Sequence, residues 1–460
     1  MYNIFVFLNE KNETYLSAQI RTYLTNKGIE HNIDVLYCGG EMVSYHHKGE
    51  RYKIFHRSVF QMIDNFLHGR DLLEGLDLID IHRKVLKFIE KQVNTTSQYD
   101  LYCFSSYSTY SLDHLYFIFL LMRKYKDPLV LMGGPWVILS ENFRNMLKKL
   151  NIPYSIGDIA PSVFNILEGN FSSESRDNFL PLTHLTAKDV PVYTEEEIAY
   201  TDGLIYLNGS RGCSNNCYYC CSPKMCSYGF NALKREVMVD WIEYYNTIPS
   251  IKKIRLNDSS ISTLKPDILL DGLIRINNRI EFFDFYFNLV DITEELLIKM
   301  KQANFTEIRI GMECSSPVNA KNMNRKMPTQ DEIYEKLLLV KKYGIYMELF
   351  SVVGIPGETE EAFESEYRLI EKIYNNFDNV GFKFFGYYLA VGSYIYDNQE
   401  DFGVRAEPLL DHNEFPEIPE FHSIIDNLIN KNVLDYPLKD VVTKRWEKLY
   451  NNFGDLYRNR

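Results

Sequence analysis

A chain of 460 residues has room for two to four domains at roughly 100–200 residues each. Its 45% apolar and 24% charged residues exclude a disordered chain. A formal charge of −12 argues against a nucleic-acid binder that relies on phosphate neutralisation. The apolar run at the N-terminus is too short for a signal peptide and follows no basic segment. Leu115–Met122, the most apolar stretch, is far below the roughly 20 residues of a spanning helix. The expectation is a cytoplasmic protein with neither membrane nor nucleic acid as partner.

The first 170 residues alternate strand and helix. Strand patterns cover Asn3–Leu8, Asp34–Tyr37, Leu101–Phe104, Leu129–Met132 and Pro153–Ile156, with amphipathic helices such as Thr14–Lys27 and Leu112–Lys126 between them. This predicts a Rossmann-like α/β domain over 1–170, a parallel sheet with helices on both faces. The mostly helical insertion Glu41–Gln98 has no readable role. Residues 171–200 are polar and aperiodic, and are read as a linker.

A second series starts at Leu204. Its strands are Leu204–Leu207, Lys253–Leu256, Phe283–Phe287, Glu307–Ile310, Tyr346–Val353 and Gly381–Leu389, separated by helices Met238–Thr247, Lys265–Ile276, Glu294–Gln302, Gln330–Tyr343 and Glu360–Asn375. Six βα units predict a partial (β/α)6 barrel over 201–400, with its chemistry at the C-terminal ends of the strands. Residues 401–460 are acidic at first, then read as a small helical region.

Of eight cysteines, Cys213, Cys217 and Cys220 lie on one segment directly after the first barrel strand. Eight cysteines in a chain this long are no disulfide framework, so the tight group reads as metal-binding or redox. Thiolates at CxxxCxxC spacing suit three irons of a cubane and leave the fourth iron open to a ligand. A structural zinc site is the alternative, with Cys221 or Cys226 as fourth ligand; inert cysteines are the third reading.

This segment resembles the signature of the radical S-adenosylmethionine (SAM) superfamily, CxxxCxΦC, with Tyr219 before the last cysteine. The resemblance extends over about residues 204–397. It implies a [4Fe-4S] cluster on the three cysteines, with SAM chelating the open iron and yielding a 5′-deoxyadenosyl radical. By position, Tyr219 is expected at the adenine, and Asn257, Asp258 and Ser259 at the methionine moiety. Gly311-Met-Glu313-Cys314 is similar to the family's Gly-x-Glu-Ser run, which implies a ribose or SAM contact for Glu313. Asn324-Arg-Lys326-Met-Pro-Thr329 is similar to its Asn-Lys-x-x-Thr turn, and Val353-Gly354-Ile-Pro-Gly-Glu358 to its Val-Gly-x-Pro-Gly-Glu loop. Asn288, after the third strand, joins Lys326 and Gly354 among the implied cofactor contacts. Taken singly, Glu313 is an ordinary ion-pair partner, Lys326 a surface charge and Gly354 a turn glycine. Cys314 replaces the family's serine. Asn304 replaces a common helix-ending glycine, which is tolerable because Asn enters the left-handed region. Leu389-Ala-Val-Gly-Ser393 stands where many members carry Pro-Gly-Thr.

A parallel α/β domain ahead of such a barrel resembles the cobalamin-binding group of the superfamily. The matching stretches are Tyr99-Asp-Leu-Tyr-Cys-Phe-Ser105-Ser106, Val130-Leu-Met-Gly133-Gly134-Pro135 and Ile156-Gly157-Asp158. The resemblance implies a corrinoid whose nucleotide tail meets Ser105 and Ser106, with Gly133 and Gly134 leaving it room. The loop Leu8–Tyr15 contains no histidine, so it supplies no lower axial ligand. A domain that merely packs on the barrel is the alternative.

Together these resemblances imply a cobalamin-dependent radical SAM enzyme. Its expected reaction methylates an unactivated carbon of a peptide or small molecule by way of methylcobalamin and the 5′-deoxyadenosyl radical. An electron donor such as flavodoxin or ferredoxin is the implied partner. Non-methylating chemistry, ring formation or epimerisation, is the runner-up. A sulfur-inserting or RNA-modifying protein is a third reading, disfavoured by the acidic charge and the lack of further clustered cysteines.

Overall fold

The structure, a computed structural model, describes residues 1–8, 13–37, 49–76, 80–106, 111–170, 174–178, 180–225, 230–260, 266–283, 285–313, 315–408, 430–434 and 438–454. It divides into two compact units, the first built on Met1–Leu180 and Asp189–Glu197, the second on Pro181–Lys188, Ile198–Ala406 and the final helix.

In the first unit, strands β1 (Tyr2–Leu8), β2 (His31–Tyr37), β3 (Leu101–Ser105), β4 (Val130–Gly133), β5 (Tyr154–Gly157) and β6 (Glu174–Asn178) form one sheet in the order β2-β1-β3-β4-β5-β6. Every pairing is parallel. Alternate residues sort to its two faces. Ile4, Val6, Leu8, Leu101, Cys103 and Leu131 pack on helix α1 (Thr14–Asn26) and on the helix Ile159–Leu167. Phe5, Phe7, Tyr102, Phe104, Val130 and Met132 pack on the opposite face, where Phe7 meets Phe104 and Phe117 at 5.5 and 5.2 Å between centroids. Helices α2 (Gly49–Leu67) and α3 (Asp80–Thr95) contribute Phe60, Ile63, Leu86 and Ile89 to that aromatic face. The insertion's role is thereby plain, since a parallel sheet needs cover on both faces.

The stretch expected to be a linker is more ordered than its polarity suggests. Glu174–Asn178 adds the sixth strand, pairing in parallel with β5, although its wholly polar sequence carries no strand-like hydropathy pattern. Glu197 is buried against α1, accepting from Ser17 Oγ at 2.5 Å and forming an ion pair with Arg21 at 3.0 Å.

In the second unit, β7 (Leu204–Leu207), β10 (Lys253–Leu256) and β11 (Glu281–Phe283) form one parallel arc, with β8 (Ser210–Arg211) and β9 (Asn231–Ala232) a short antiparallel pair. Strands β12 (Tyr286–Phe287), β13 (Glu307–Gly311), β14 (Tyr346–Val353) and β15 (Val380–Gly386) form the second arc. A parallel bridge from Phe282 to Phe305 joins the arcs, and those two rings stack at 4.6 Å. The strand expected as one run over Phe283–Phe287 is therefore two short pieces, with Phe285 fully buried between them. Asn304 takes the left-handed conformation, φ 68°, as its replacement of glycine anticipates.

The last helix, Leu438–Phe453, belongs to this unit rather than to a separate region. Trp446 Nε1 donates to Phe384 O at 2.9 Å. Arg445, with 7% of its side chain exposed, reaches buried Glu358 at 2.6 Å and Glu360 at 2.5 Å. Glu358 also accepts from Gly354 N at 2.9 Å and Asn319 Nδ2 at 3.1 Å. Removing one partner of a buried ion pair leaves the other charge uncompensated. Arg445→Ala should therefore lower the stability of the second unit by about 3–5 kcal/mol. Urea unfolding followed by tryptophan fluorescence checks this, and Arg445→Lys should recover part of the loss.

Candidate functional site

The cysteine loop leaves the end of β7 through a bracket that fixes where it starts. Asp258, at the end of the neighbouring β10, accepts from Gly209 N at 3.0 Å and from Ser210 Oγ. Burial pushes its carboxyl up to about 6, and the Ser210 and Gly209 bonds oppose that rise. Ser210–Arg211 then pairs with Asn231–Ala232, so the hairpin pins both ends of the segment. Within the loop, Cys220 N donates to Cys217 O at 3.1 Å, and Ser222 N to Cys220 Sγ at 3.4 Å.

A second segment holds the loop from the side. Tyr218 N donates to Met323 O at 3.0 Å, Asn324 Nδ2 to Asn216 O at 3.0 Å, and Arg325 Nη1 to Tyr219 Oη. Asn324 sits at φ 50°, which turns the chain back after helix Pro317–Asn322 and presents Arg325 inward. Ile395 N donates to Tyr218 O at 3.1 Å, and the Tyr218 ring stacks on Tyr394 at 4.3 Å.

Burial raises the thiols of Cys213 and Cys217, the latter to about 11, and the Arg325 cation opposes the rise at both. Cys221 is pushed up to about 11 by burial and by Cys220, with no cation in opposition. Among the described residues no three His, Cys, Asp or Glu side chains converge on a single ion. Ligands of one zinc ion must converge, whereas three irons of a cubane take one thiolate each. Cys226 and Cys314 lie outside the described residues.

The other expected contacts separate into two groups. Tyr219 and Glu313 meet at Arg325, which bonds Tyr219 Oη, donates to Gly311 O at 2.9 Å and pairs with Glu313 at 3.0 Å. A Cβ at Gly311 would meet the guanidinium of Arg325 and the carboxylate of Glu313, so a side chain there would push both ends of that pair aside. Asn257 and Ser259 are exposed at the end of β10, whereas Asp258 turns inward to its bracket. Asn288 is half-buried with Nδ2 3.4 Å from Asp291. Lys326 is exposed. The inward basic residue of that turn is Arg325, and only the left-handed Asn324 could have signalled the switch. Gly354, expected to approach a cofactor, has φ 77° and lies against Val442 of the last helix, where a Cβ would clash. Its N–H serves Glu358.

Behind this cluster lies Glu366, fully buried, accepting from Ser351 Oγ at 2.6 Å. Burial pushes its carboxyl up to about 8, Ser351 opposes, and the Glu358 charge adds to the rise. The folded state therefore holds a proton between pH 4.5 and about 8 that the unfolded chain releases. Stability contributed by that proton falls as pH rises through this window.

In the first unit, β3 and β4 end side by side, Ser105 pairing with Gly133. Ser106 is fully buried, its N donates to Gly133 O at 2.8 Å, and its Oγ has no partner among the described residues. Gly134 has φ 99°, and a Cβ there would lie 2.6 Å from Ser106 N. The glycine therefore admits the neighbouring backbone rather than leaving free room. A Cβ at Gly133 would touch only Ile159, at 3.5 Å. Pro135 opens the short helix Pro135–Leu139, and Gly157, φ 128°, ends β5. Strand order reverses at β1/β3, beside Ser105, and such a switch point opens a crevice for ligands at the carboxyl ends. A buried hydroxyl lacking a partner there suits a polar ligand group. Residues 9–12 of the histidine-free loop lie outside the described residues. His114 is sealed among Phe7 and Phe104, and burial pushes it down to about 3.

Residues 207–370 match the Radical SAM superfamily. The chain is similar to the ribosomal protein uS12 methylthiotransferase RimO of Clostridium novyi (strain NT), 24% identical over 352 residues, 72% of this chain and 74% of that one. It is 21% identical over 254 residues to the tRNA-2-methylthio-N(6)-dimethylallyladenosine synthase of the same organism, covering 50% and 54%. Among solved structures it resembles the radical SAM methyltransferase TsrM of Kitasatospora setae, determined with tryptophan substrate and a SAM analogue. The TM-score is 0.67 at 15% identity, over 97% of this chain and 88% of that one. TsrM with cobalamin and a [4Fe-4S] cluster bound gives a TM-score of 0.63 at 14% identity, over 88% and 77%. At such identity the likeness shows a shared fold: a Rossmann-like region followed by a radical SAM domain. A radical SAM domain implies a [4Fe-4S] cluster, SAM and a reductant.

Two outcomes follow from the geometry. Asp258→Ala should free the start of the loop and lower the iron retained after anaerobic reconstitution and desalting, while Lys326→Ala should leave it unchanged. Glu366→Gln should flatten the pH dependence of stability between about 4.5 and 8 and stabilise the fold most at the alkaline end, as read by thermal melts across that range.

Proposed function

We propose, from the premise that residues 207–370 belong to the radical SAM superfamily, that this chain is a cobalamin-dependent radical SAM methyltransferase. Its substrate is a peptide or small molecule methylated at an unactivated carbon. The observation that carries this reading is the pairing of two built sites in one chain. One is the three-cysteine loop held by Asp258 and the 323–325 turn. The other is the β3/β4 end, where the buried Ser106 hydroxyl has no partner among the described residues.

Cys213, Cys217 and Cys220 would hold the cluster. Tyr219 and Glu313, fixed by Arg325, would orient SAM, and Asn257 and Ser259, both exposed, would meet its amino-acid end. Asn288 is proposed at the rim of the same site. Ser105, Ser106, Gly133, Gly134, Pro135 and Gly157 would line the corrinoid tail site. When bound, SAM supplies the methyl group and the 5′-deoxyadenosyl radical, and the corrinoid relays the methyl. The chain's own task is to hold reactants in register, an effect that can supply about 7–11 kcal/mol of barrier lowering. A flavodoxin or ferredoxin is the proposed electron donor.

The methylthiotransferase relatives favour a second reading, sulfur insertion. A sulfur-supplying second cluster needs its own thiolates. Residues 1–180 contain only Cys38 and Cys103, and Cys103 is fully buried in the sheet with its thiol pushed up by burial. This weighs toward carbon methylation.

Anaerobically reconstituted protein should hold about four irons and retain about one hydroxocobalamin through gel filtration. The reduced Co(II) spectrum should lack nitrogen superhyperfine splitting. With methyl-trideuterated SAM and reductant, S-adenosylhomocysteine and 5′-deoxyadenosine should both form, and cysteine-to-alanine changes at 213, 217 or 220 should abolish the latter. Deoxyadenosine without S-adenosylhomocysteine would favour ring formation or epimerisation. Labile sulfide well above four per chain would favour sulfur insertion, and failure to retain the corrinoid would overturn the proposal.

A further inference from the structure

The 323–325 turn does more than buttress the loop, because it places a cation beside it. Arg325 has 15% of its side chain exposed, and so does Glu313. The guanidinium is pinned on three sides: Tyr219 Oη, one residue from Cys220; Gly311 O at the end of β13; and the Glu313 carboxylate at 3.0 Å. Asn324 and Met323 fix the same turn to Asn216 and Tyr218, so the charge has little freedom to leave. Asn216 and Tyr218 are the residues on either side of Cys217, so the turn that carries the cation is bonded to the loop at the middle thiol. The loop is thus flanked by one fixed positive and one fixed negative charge.

We propose that Arg325 and Glu313 form an antagonistic pair of positioning residues that sets the reduction potential of the cluster held by Cys213, Cys217 and Cys220. The proposal rests on the reading that those cysteines hold a cubane. Reduction adds one electron to the cluster from a one-electron donor, with no bond made or broken, so its negative charge grows by one. A fixed cation stabilises the more negative, reduced form, and a fixed anion opposes it. In a partly buried site these interactions are screened less than at the surface. A ligand that engages Glu313 would leave the Arg325 charge uncompensated and ease reduction once the site is occupied.

The test is a redox titration of the reconstituted protein, with dithionite as electron source and electron paramagnetic resonance of the reduced cluster as the readout, in the absence of SAM. Arg325→Gln should make reduction about tenfold less favourable, a negative shift of about 59 mV for one electron. Glu313→Gln should move the potential the opposite way, and Arg325→Lys should restore most of the wild-type value. Opposite signs are the signature, because loosening of the loop would move both variants together. Shifts of the same sign, or no shift, with about four irons retained, would overturn the proposal. Should Arg325→Gln fail to keep its iron, Glu313→Gln alone decides: a rise supports the pair and anything else overturns it. Wild-type protein that takes up no iron would instead overturn the cluster reading.

Discussion

The second unit depends on how the loop Gly212–Cys221, with four of the chain's eight cysteines, is kept in one conformation. A loop of this kind gains little from hydrophobic burial, and its backbone entropy resists ordering. Here it is fixed by hydrogen bonds from outside itself: Asp258 at its start, the β8/β9 pair at both flanks, and Met323, Asn324 and Arg325 along its side. Each comes from a strand end or a capped turn, elements far stiffer than the loop. Thr329 continues the same logic, closing a capping box with Glu332 that anchors the chain just beyond the turn.

Much of this was legible in the sequence, for reasons specific to each element. Strands buried on both faces write themselves as apolar runs, so β7 and β14 fall on the expected residues, while β10 is marked by buried Ile254 and Leu256 alternating with Lys253 and Arg255. Asn304 was readable because few residues other than glycine tolerate its conformation. The sixth strand of the first sheet was hidden, since its sequence Glu174–Asn178 is wholly polar and has no apolar alternation.

Roles were less legible than positions. Asp258 and Gly354 stand where a resemblance places cofactor contacts, yet both serve the protein's own backbone and packing. A motif records that a residue type is needed, not which neighbour needs it. Lys326 and Arg325 differ by one position and one turn of φ at Asn324, and that choice is set by a contact with Gly311 more than ten residues earlier. Likewise the insertion at 49–95 became meaningful only once the aromatic face of the sheet was seen to require cover.

The clamp between Glu358 and Arg445 spans 87 residues of chain. A ribosome emits the loop containing Glu358 long before it emits its counter-ion. Throughout that interval the carboxylate has no cationic partner from the last helix, and Gly354 and Gly386 lack the Val442 surface that closes over them. The barrel half of the chain is therefore completed by one of its final helices. Until that helix emerges, the stretch of β15 that Trp446 and Val442 cover stays open to solvent, and the fold around Glu358 is left one charge short.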